Sequence, residues 1–371
     1  MSPSDDDGGP GAGGAGRDPV SAPAPIQIGG RAVGPGQPVF VIAELSANHG
    51  HRLERALELI DLAAEAGADA VKLQTYRPET MTLDLDLPAF RVAEGTLWSG
   101  RRLADLYAEA MTPWEWYPDL AAAAAERGLV LFSTPFDASA VEFLADHGVP
   151  AFKIASFELV DLPLIRAAAA HGRPLIMSTG MASVEEIDAA VGAARQAGAG
   201  GVALLRCNSS YPAPSREMDL RTIPDMVERW SVPIGLSDHT LGLTALTAAV
   251  SLGACILEKH LTLDRAEPGP DSSFSLEPDE LAATVQAVRE VEAALGRVRY
   301  GPSESERPSL SFRRSVWVTQ DVEAGEVFST ENLASLRPAG GLAPDELAAV
   351  VGRRAARRVD AGTPLAWDLV E

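Results

Sequence analysis

Lysine is rare in this chain, and its few lysines occupy positions where chemistry could occur. Only three of the 31 lysine and arginine residues are lysines: Lys72, Lys153 and Lys259. Each lies in or at the end of an apolar, strand-like run. Where a site needs the compact ammonium of lysine, the planar guanidinium of arginine cannot take its place. Chance retention in an arginine-biased composition is the alternative, but we predict that all three lysines point toward one common anionic ligand.

Two of the six histidines end consecutive strand-like runs. His239 ends the run Gly235-Leu-Ser-Asp-His239, and His260 ends Leu257-Glu-Lys-His260. Two imidazoles with carboxylates nearby suit a divalent transition metal that keeps open positions for substrate and water. The residues alone leave two interpretations open, a metal site or a pair of hydrogen-bonding residues that line a pocket.

Carboxylates and hydroxyls also follow the strand-like runs. Glu44 closes the first run, and a carboxylate there is costly unless it is paired, so we expect it at a polar, cationic mouth. Ser156 and Ser178 offer hydroxyl donors to an anion. Asp271 lies in Pro268-Gly-Pro-Asp271, where the composition alone favours an ordinary turn residue.

Short β-rich runs alternate with longer helical stretches from Pro38 onward. The predicted strands are Val39–Leu45, Ala70–Gln74, Val130–Ser133, Phe152–Ala155, Leu175–Ser178, Val202–Cys207, Ile234–Leu236 and Cys255–Lys259. Strands that are apolar on both faces and alternate with helices are typical of an α/β fold, the (β/α)8 TIM barrel, whose active sites form at the C-terminal strand ends. A doubly wound sheet is the competing architecture, but no glycine-rich phosphate loop follows the first strand.

The composition divides the chain into four segments. Residues 1–25 are rich in Gly, Pro, Ala and Asp, lack the apolar core of a signal peptide, and are predicted to form a disordered tail. Residues 26–296 hold the barrel pattern, and residues 297–312 have the composition of a linker. Residues 313–371 change to short strands and turns, which indicates a second domain near the lower size limit for independent folding.

The bulk properties exclude several classes of partner. A formal charge of −21 argues against binding to nucleic acid or to an anionic membrane, and no run is long and apolar enough to span a bilayer. Cys207 and Cys255 fit neither a disulfide framework nor a metal-ligand spacing. We expect buried free thiols and a cytoplasmic protein.

At these strand ends the sequence resembles the sialic acid synthase (nonulosonic acid synthase) family, and within it the pseudaminic acid branch. The matching segments follow the family's order across residues 38–296: Val41-Ile-Ala-Glu-Leu-Ser-Ala-Asn-His49, Val71-Lys-Leu-Gln-Thr75, Phe132-Ser-Thr-Pro-Phe136, Lys153-Ile-Ala-Ser156, Leu175-Ile-Met-Ser-Thr-Gly180, Ile234-Gly-Leu-Ser-Asp-His239, Leu257-Glu-Lys-His260 and Arg265–Asp271. Residues 313–371 resemble the family's antifreeze-like (SAF) domain.

The resemblance implies a reaction and a set of ligands. Phosphoenolpyruvate would condense with the open-chain aldehyde of an N-acetylated amino sugar, and His239 and His260 would hold a divalent metal, typically Mn²⁺, with Mg²⁺ or Co²⁺ as alternatives. The implied phosphoenolpyruvate ligands are Lys72, Thr134, Lys153, Ser156, Ser178, Ser209 and Ser237. The implied sugar ligands are Glu44, Gln74, Tyr211, Asp271 and Arg337.

The resemblance also implies roles and an assembly. The catalytic set would be Glu44, Lys72, Lys153 and Asp271, with Glu44 managing the proton of water or of a hydroxyl. Arg337 would be delivered by the small domain to the active site of the partner chain, so a domain-swapped homodimer is expected.

Two features bear on the acceptor sugar. Glu44-Leu-Ser-Ala-Asn-His49 matches the pseudaminic acid branch, whereas neuraminate enzymes usually carry Glu-Ile-Gly, one variable residue and Asn-His. Ser209 stands where the neuraminate type has Asn, and Asn208 before it is unusual. A neuraminate or legionaminate synthase, a non-catalytic glycan-binding relative and a heptulosonate-type synthase are the alternatives.

Overall fold

Eight parallel strands close into a barrel in which each strand lies beside the next along the chain and the last pairs with the first. The computed structural model describes residues 23–371, and the chain forms two units that part between Gly296 and Arg297. The barrel strands are β3 (Phe40–Glu44), β4 (Ala70–Thr75), β5 (Val130–Pro135), β6 (Phe152–Ile154), β7 (Pro174–Ser178), β8 (Gly201–Cys207), β9 (Ile234–Asp238) and β10 (Ile256–His260). All eight predicted strands are present, and the predicted TIM barrel is confirmed.

Helices follow the strands around the outside of the barrel. They are α1 (Leu53–Glu65), α2 (Pro78–Met81), α3 (Leu103–Ala110), α4 (Tyr117–Glu126), α5 (Ala138–Asp146), α6 (Leu162–Ala169), α7 (Val184–Gln196), α8 (Thr222–Trp230), α9 (Thr244–Ser251) and α10 (Pro278–Leu295). In α1 the buried residues Ala56, Leu59, Ile60 and Ala63 recur at helical spacing, so a single apolar face joins the barrel core.

A hairpin that was not predicted from the sequence precedes the barrel. Strand β1 (Ile26–Ile28) pairs antiparallel with β2 (Arg31–Val33) across the turn Gly29-Gly30, and both glycines have positive φ. A two-residue Gly-Gly turn suits a hairpin because such turns need left-handed backbone. Ile28 and Val33 are fully buried in the barrel's core cluster, so the hairpin covers apolar surface at the amino-terminal ends of the strands.

The second unit, Arg297–Glu371, has its own core. Strands β11 (Ser315–Val318) and β12 (Leu333–Leu336) pair antiparallel, and one short helix, α11 (Leu347–Val350), follows them. The buried cluster consists of Val316, Val318, Val322, Phe328, Leu333, Val350, Ala355, Val359, Leu365 and Leu369. The second unit thus has a buried apolar cluster separate from that of the barrel.

The predicted tail, residues 1–25, lies outside the described residues except for its last three positions. Between residues 23 and 371, none of the helices combines the length and the apolar character that crossing a membrane would require.

Candidate active site

The carboxyl-terminal ends of the barrel strands surround one polar cavity. Ten of the predicted site residues line it: Lys72, Gln74, Thr134, Lys153, Ser156, Ser178, Tyr211, Ser237, His239 and His260. Phe136, Ala155, Cys207 and Glu258 complete the lining. The topology of a parallel barrel explains the convergence, since every strand ends at the same rim.

Four charged side chains are buried together at this cavity, and three of them, Lys72, Lys153 and Glu258, line it. The ammonium of Lys72 pairs with Glu44 Oε2 and lies 3.6 Å from Glu258 Oε1, and the ammonium of Lys153 lies 3.8 Å from the same Glu258 oxygen. None of the four side chains is more than 5% exposed. Buried charges require partners, and here two cations are balanced by two carboxylates.

The four groups differ in how burial affects them. Burial raises the pKa of Glu44 above its ordinary value, although Lys72 opposes the change. Burial would also raise the pKa of Glu258, but Lys153 and Lys72 together hold it below its ordinary value. Glu258 is therefore the constant counter-ion of the lysines, whereas Glu44 is the carboxyl that more readily holds a proton.

Hydroxyl groups and one glycine form a small polar cradle beside Lys153. The Lys153 ammonium donates to Ser178 Oγ at 2.6 Å, and the Gly180 N–H donates to Ser156 Oγ at 3.1 Å. A Cβ at Gly180 would lie only 2.3 Å from Ser209 Oγ and 2.7 Å from Ser156 Oγ. The missing side chain thus leaves room for the two serines, and the cradle presents hydroxyl donors around an ammonium, as an anion site needs.

Asn208, the residue that departs from the family pattern, shapes the loop instead of the cradle. Its side-chain amide donates to the backbone carbonyl of Glu217 at 3.0 Å, and its Oδ1 accepts from the Ser210 N–H at 3.0 Å. Its backbone carbonyl accepts from His239 Nδ1 at 2.8 Å.

The two predicted metal ligands lie side by side, with ring centroids 5.3 Å apart. Because Nδ1 of His239 donates to the Asn208 carbonyl, its Nε2 keeps the lone pair that a metal would use. Nδ1 of His260 is buried and has no hydrogen-bond partner in the described part of the chain. Across residues 23–371 no group of three or more His, Cys, Asp or Glu side chains is arranged as a metal site. The pair therefore fits an ion held by two imidazoles with its other positions open to ligands.

Three of the predicted sugar ligands, Glu44, Gln74 and Asp271, are joined by hydrogen bonds through Gln74 and Ser46. Gln74 Nε2 donates to Ser46 Oγ at 2.9 Å and to Glu44 Oε1 at 3.3 Å. Ser46 Oγ in turn donates to Asp271 Oδ2. The ring of Tyr211 lies 4.4 Å from that of His239. Asp271 is thus more than an ordinary turn residue, because it is tied to the predicted acceptor end of the cavity.

Arg337 lies in the second unit, directly after β12, and is exposed. The indole N–H of Trp317 and the hydroxyl of Ser315 both donate to the carbonyl of Pro338, which fixes the adjoining loop. Its placement in the active site of a partner chain stays a prediction.

The prediction for Lys259 is wrong. Its ammonium pairs with Asp238 Oδ2 at 2.7 Å and donates to the Thr240 carbonyl, so it does not face the cavity. Strand residues alternate between faces, so Glu258 and His260 point inward whereas Lys259 points outward. Since Lys259 precedes His260 and holds the residues on both sides of His239, it ties together the two strand ends that carry the histidines.

Lys259→Met is therefore expected to destabilise the fold more than a surface substitution does. Asp238 is fully buried, and removing its partner leaves a buried charge uncompensated, at a cost of about 3–5 kcal/mol. Urea unfolding followed by circular dichroism would measure the loss. Lys259→Met/Asp238→Asn, which removes both charges, should recover part of it. Equal stability of the single variant and the unmodified chain would contradict the assigned role.

Two carboxylates near the cavity were not singled out from the sequence. Glu258 lies inside the matched segment Leu257-Glu-Lys-His260, and its inward direction follows from the strand alternation that also orients His260. Glu158 follows Ser156 by two residues in the loop after β6. Burial raises its pKa to about 7, and its Oε2 has no hydrogen-bond partner among residues 23–371. A carboxyl of that pKa is suited to proton transfer near neutral pH.

Fold and site together define a (β/α)8-barrel protein with a buried polar cavity, lined by two lysines and several hydroxyls, at its carboxyl-terminal rim. The profile of the NeuB family matches residues 59–300, and that of the SAF domain matches residues 313–371. The chain belongs to the NeuB family, and the resemblance stated from the sequence is confirmed.

Curated relatives and solved structures agree with this assignment. The chain is 41% identical to a pseudaminic acid synthase of Campylobacter jejuni, over 88% of this chain and 95% of the relative. It is 39% identical to a pseudaminic acid synthase of Helicobacter pylori, over 90% and 98%. The crystal structure of an N-acetylneuraminic acid synthetase from Leptospira borgpetersenii matches with a TM-score of 0.70 and 33% identity, over 78% of this chain and 96% of that one.

Proposed function

We propose that the chain is a pseudaminic acid synthase, which condenses phosphoenolpyruvate with 2,4-diacetamido-2,4,6-trideoxy-L-altrose and water to give pseudaminic acid and phosphate. The observation that carries the reaction class is the buried cavity lined by Lys72, Lys153 and several hydroxyls, with Glu44 paired to Lys72. The choice of acceptor is supported by the higher identity to pseudaminic acid synthases, 41% and 39%, than to the neuraminate enzyme, 33%.

Phosphoenolpyruvate carries a phosphate and a carboxylate, and the cavity offers a donor set for both. Lys72 and Lys153 supply ammonium groups, and Thr134, Ser156, Ser178, Ser209 and Ser237 supply hydroxyls. Charge-assisted hydrogen bonds in a water-poor site are strong, so these donors fix the reactive methylene carbon in one orientation. Because Glu44 and Glu258 already neutralise the lysines, the incoming anion competes with them for the ammonium protons.

His239 and His260 would hold a divalent cation, Mn²⁺ in the first place, with Mg²⁺ or Co²⁺ as alternatives. When bound there, the ion supplies Lewis-acid polarisation of the acceptor's aldehyde oxygen. The acceptor would lie on the side of the cavity where Tyr211, Gln74 and Asp271 are found.

The bond changes balance without a further reactant. The methylene carbon of phosphoenolpyruvate forms a bond to the aldehyde carbon, and the aldehyde oxygen takes a proton. Water adds to the carbon that bears phosphate, and phosphate leaves from the tetrahedral intermediate by C–O cleavage. Glu44, held in place by Lys72, Gln74 and the Ser46 N–H, handles the proton of the water or hydroxyl. Glu158 is a second group able to hold a proton at the rim.

An N-acetylneuraminate or legionaminate synthase is the nearest alternative, with the same bond changes and another acceptor. A non-catalytic glycan-binding protein is disfavoured, because the two lysines and the two histidines line one cavity and Glu44 pairs with one of those lysines. A heptulosonate-type synthase gives no reason for the SAF domain. We further propose a domain-swapped homodimer and a cytoplasmic location, the latter supported by two free, buried cysteines.

Phosphate release from phosphoenolpyruvate with Mn²⁺ tests the proposal. The altrose derivative is expected to give release that a chelator abolishes, and N-acetylmannosamine is expected to give far less. Efficient release with N-acetylmannosamine would move the chain to the neuraminate branch. If no phosphate is released with either sugar or with any sugar of a wider panel, the glycan-binding alternative would be favoured.

A further inference from the structure

A loop between β4 and α3, residues 92–101, forms a closed strap on the carboxyl-terminal side of the barrel. The Val92 N–H donates to the Arg101 carbonyl at 2.9 Å, and the Gly100 N–H donates to the Val92 carbonyl at 3.0 Å. Positive φ values at Gly95 and Gly100 allow the chain to turn within so few residues. Most side chains of the strap are exposed, but Trp98 is half-buried.

Trp98 joins the strap to two other loops of the rim. Its indole N–H donates to the Pro270 carbonyl at 2.8 Å, directly before Asp271. Its ring centroid lies 5.3 Å from that of Tyr211, which lies in turn against His239. One side chain thus touches the loops after β8 and β10 that carry two predicted sugar ligands.

Two aromatic residues, Tyr211 and Phe136, line the cavity on the side of this contact, and Phe274 is buried behind Tyr211. The Tyr211 ring lies 5.1 Å from that of Phe274, and Phe136 lines the cavity nearby. An aromatic wall stabilises methyl groups by contact, whereas a sugar hydroxyl placed against it loses its hydrogen bonds to water. The wall therefore suits an acceptor that carries methyl groups where common sugars carry hydroxyls.

We propose that Trp98 is a specificity-determining residue for the acceptor, favouring a 6-deoxy, N-acetylated sugar over one with a hydroxyl at C6. It does so through its contacts with Tyr211 and with the Pro270 carbonyl, which hold Tyr211 and the Asp271 loop in place. This inference rests on the proposed function, since it concerns the acceptor of the same reaction.

The test compares two acceptors that differ by one oxygen, 2,4-diacetamido-2,4,6-trideoxy-L-altrose and its 6-hydroxy counterpart. Trp98→Ala is expected to lower kcat/KM for the deoxy sugar by about 10- to 100-fold, the range that one apolar contact supplies. The KM for phosphoenolpyruvate should stay within about twofold of its normal value. The ratio of kcat/KM for the deoxy sugar to kcat/KM for the 6-hydroxy sugar should fall by about 10- to 100-fold. Trp98→Phe, which keeps a ring beside Tyr211, should retain most of the preference.

Trp230→Phe serves as a matched control, because the Trp230 indole N–H donates to Asp188 on α7, away from the cavity. This variant should leave kcat/KM for both acceptors unchanged. If Trp98→Ala lowers turnover of both sugars equally, or weakens phosphoenolpyruvate binding as much as acceptor use, the inference is wrong although the proposed function stands. If the unmodified protein releases no phosphate with either sugar, the proposed function itself fails.

Discussion

Glu44→Gln is expected to lower kcat by about 10²- to 10⁴-fold, the usual contribution of a positioned proton-transfer group, while the KM for phosphoenolpyruvate changes by less than about threefold. Glutamine keeps the size of the side chain and can still accept hydrogen bonds from Gln74 and from the Ser46 N–H. It cannot accept a proton. We expect kcat to fall while the KM for phosphoenolpyruvate hardly changes, because Lys72 keeps Glu258 as a partner at 3.6 Å and stays available to the anion.

Glu258→Gln is the matched control for this prediction. It removes the same unit of negative charge from the same buried cluster, and Glu258 contacts both Lys72 and Lys153. If Glu44 acts only as a counter-ion, the two variants should lose kcat to the same extent. A proton-handling role for Glu44 requires a far larger loss of kcat in Glu44→Gln than in Glu258→Gln. Steady-state kinetics, with both substrates varied and circular dichroism as a check on folding, would separate these outcomes.

The barrel could be predicted because its strands are short, apolar on both faces and regularly separated by helices. The predicted positions of the strand ends were less accurate. For example, the predicted Ile234–Leu236 extends to Asp238, because polar residues at the rim still join the ladder to β10. The β1–β2 hairpin carried a readable signal, alternating apolar residues about Gly29-Gly30, which the composition of the preceding tail obscured.

The site was predicted well where a strand end carried an unusual residue type, and poorly where direction mattered. Lys72 and Lys153 point inward, whereas Lys259 points outward, and the alternation of strand residues would have separated them once His260 was assigned to the cavity. Glu158 could not be predicted in this way. Its burial, which raises its pKa, depends on the conformation of the loop after β6, and no periodicity of the sequence records that conformation.

Arg337→Ala is expected to lower kcat/KM for the acceptor by at least about 30-fold, since truncating a charge that pairs with a buried ligand is costly. By itself such a loss would not show which chain supplies the arginine. Co-expression with Glu44→Gln, each variant carrying its own affinity tag, resolves that question. In a domain-swapped dimer, a mixed pair has one site that combines an intact Glu44 with an intact Arg337.

Random pairing of equal amounts makes half of the dimers mixed, and one of the two sites in each is complete, so about a quarter of the normal activity should return. If Arg337 serves its own chain, every site in the mixed dimer lacks one of the two groups and activity stays at the sum of the separate variants. Arg358→Ala provides a control, because Arg358 is also exposed in the second unit but is engaged with Asp321 and Asp360 of that same unit. Recovery of activity in purified doubly tagged dimers would place the small domain of one chain at the cavity of the other, and would give the second domain a part in the reaction.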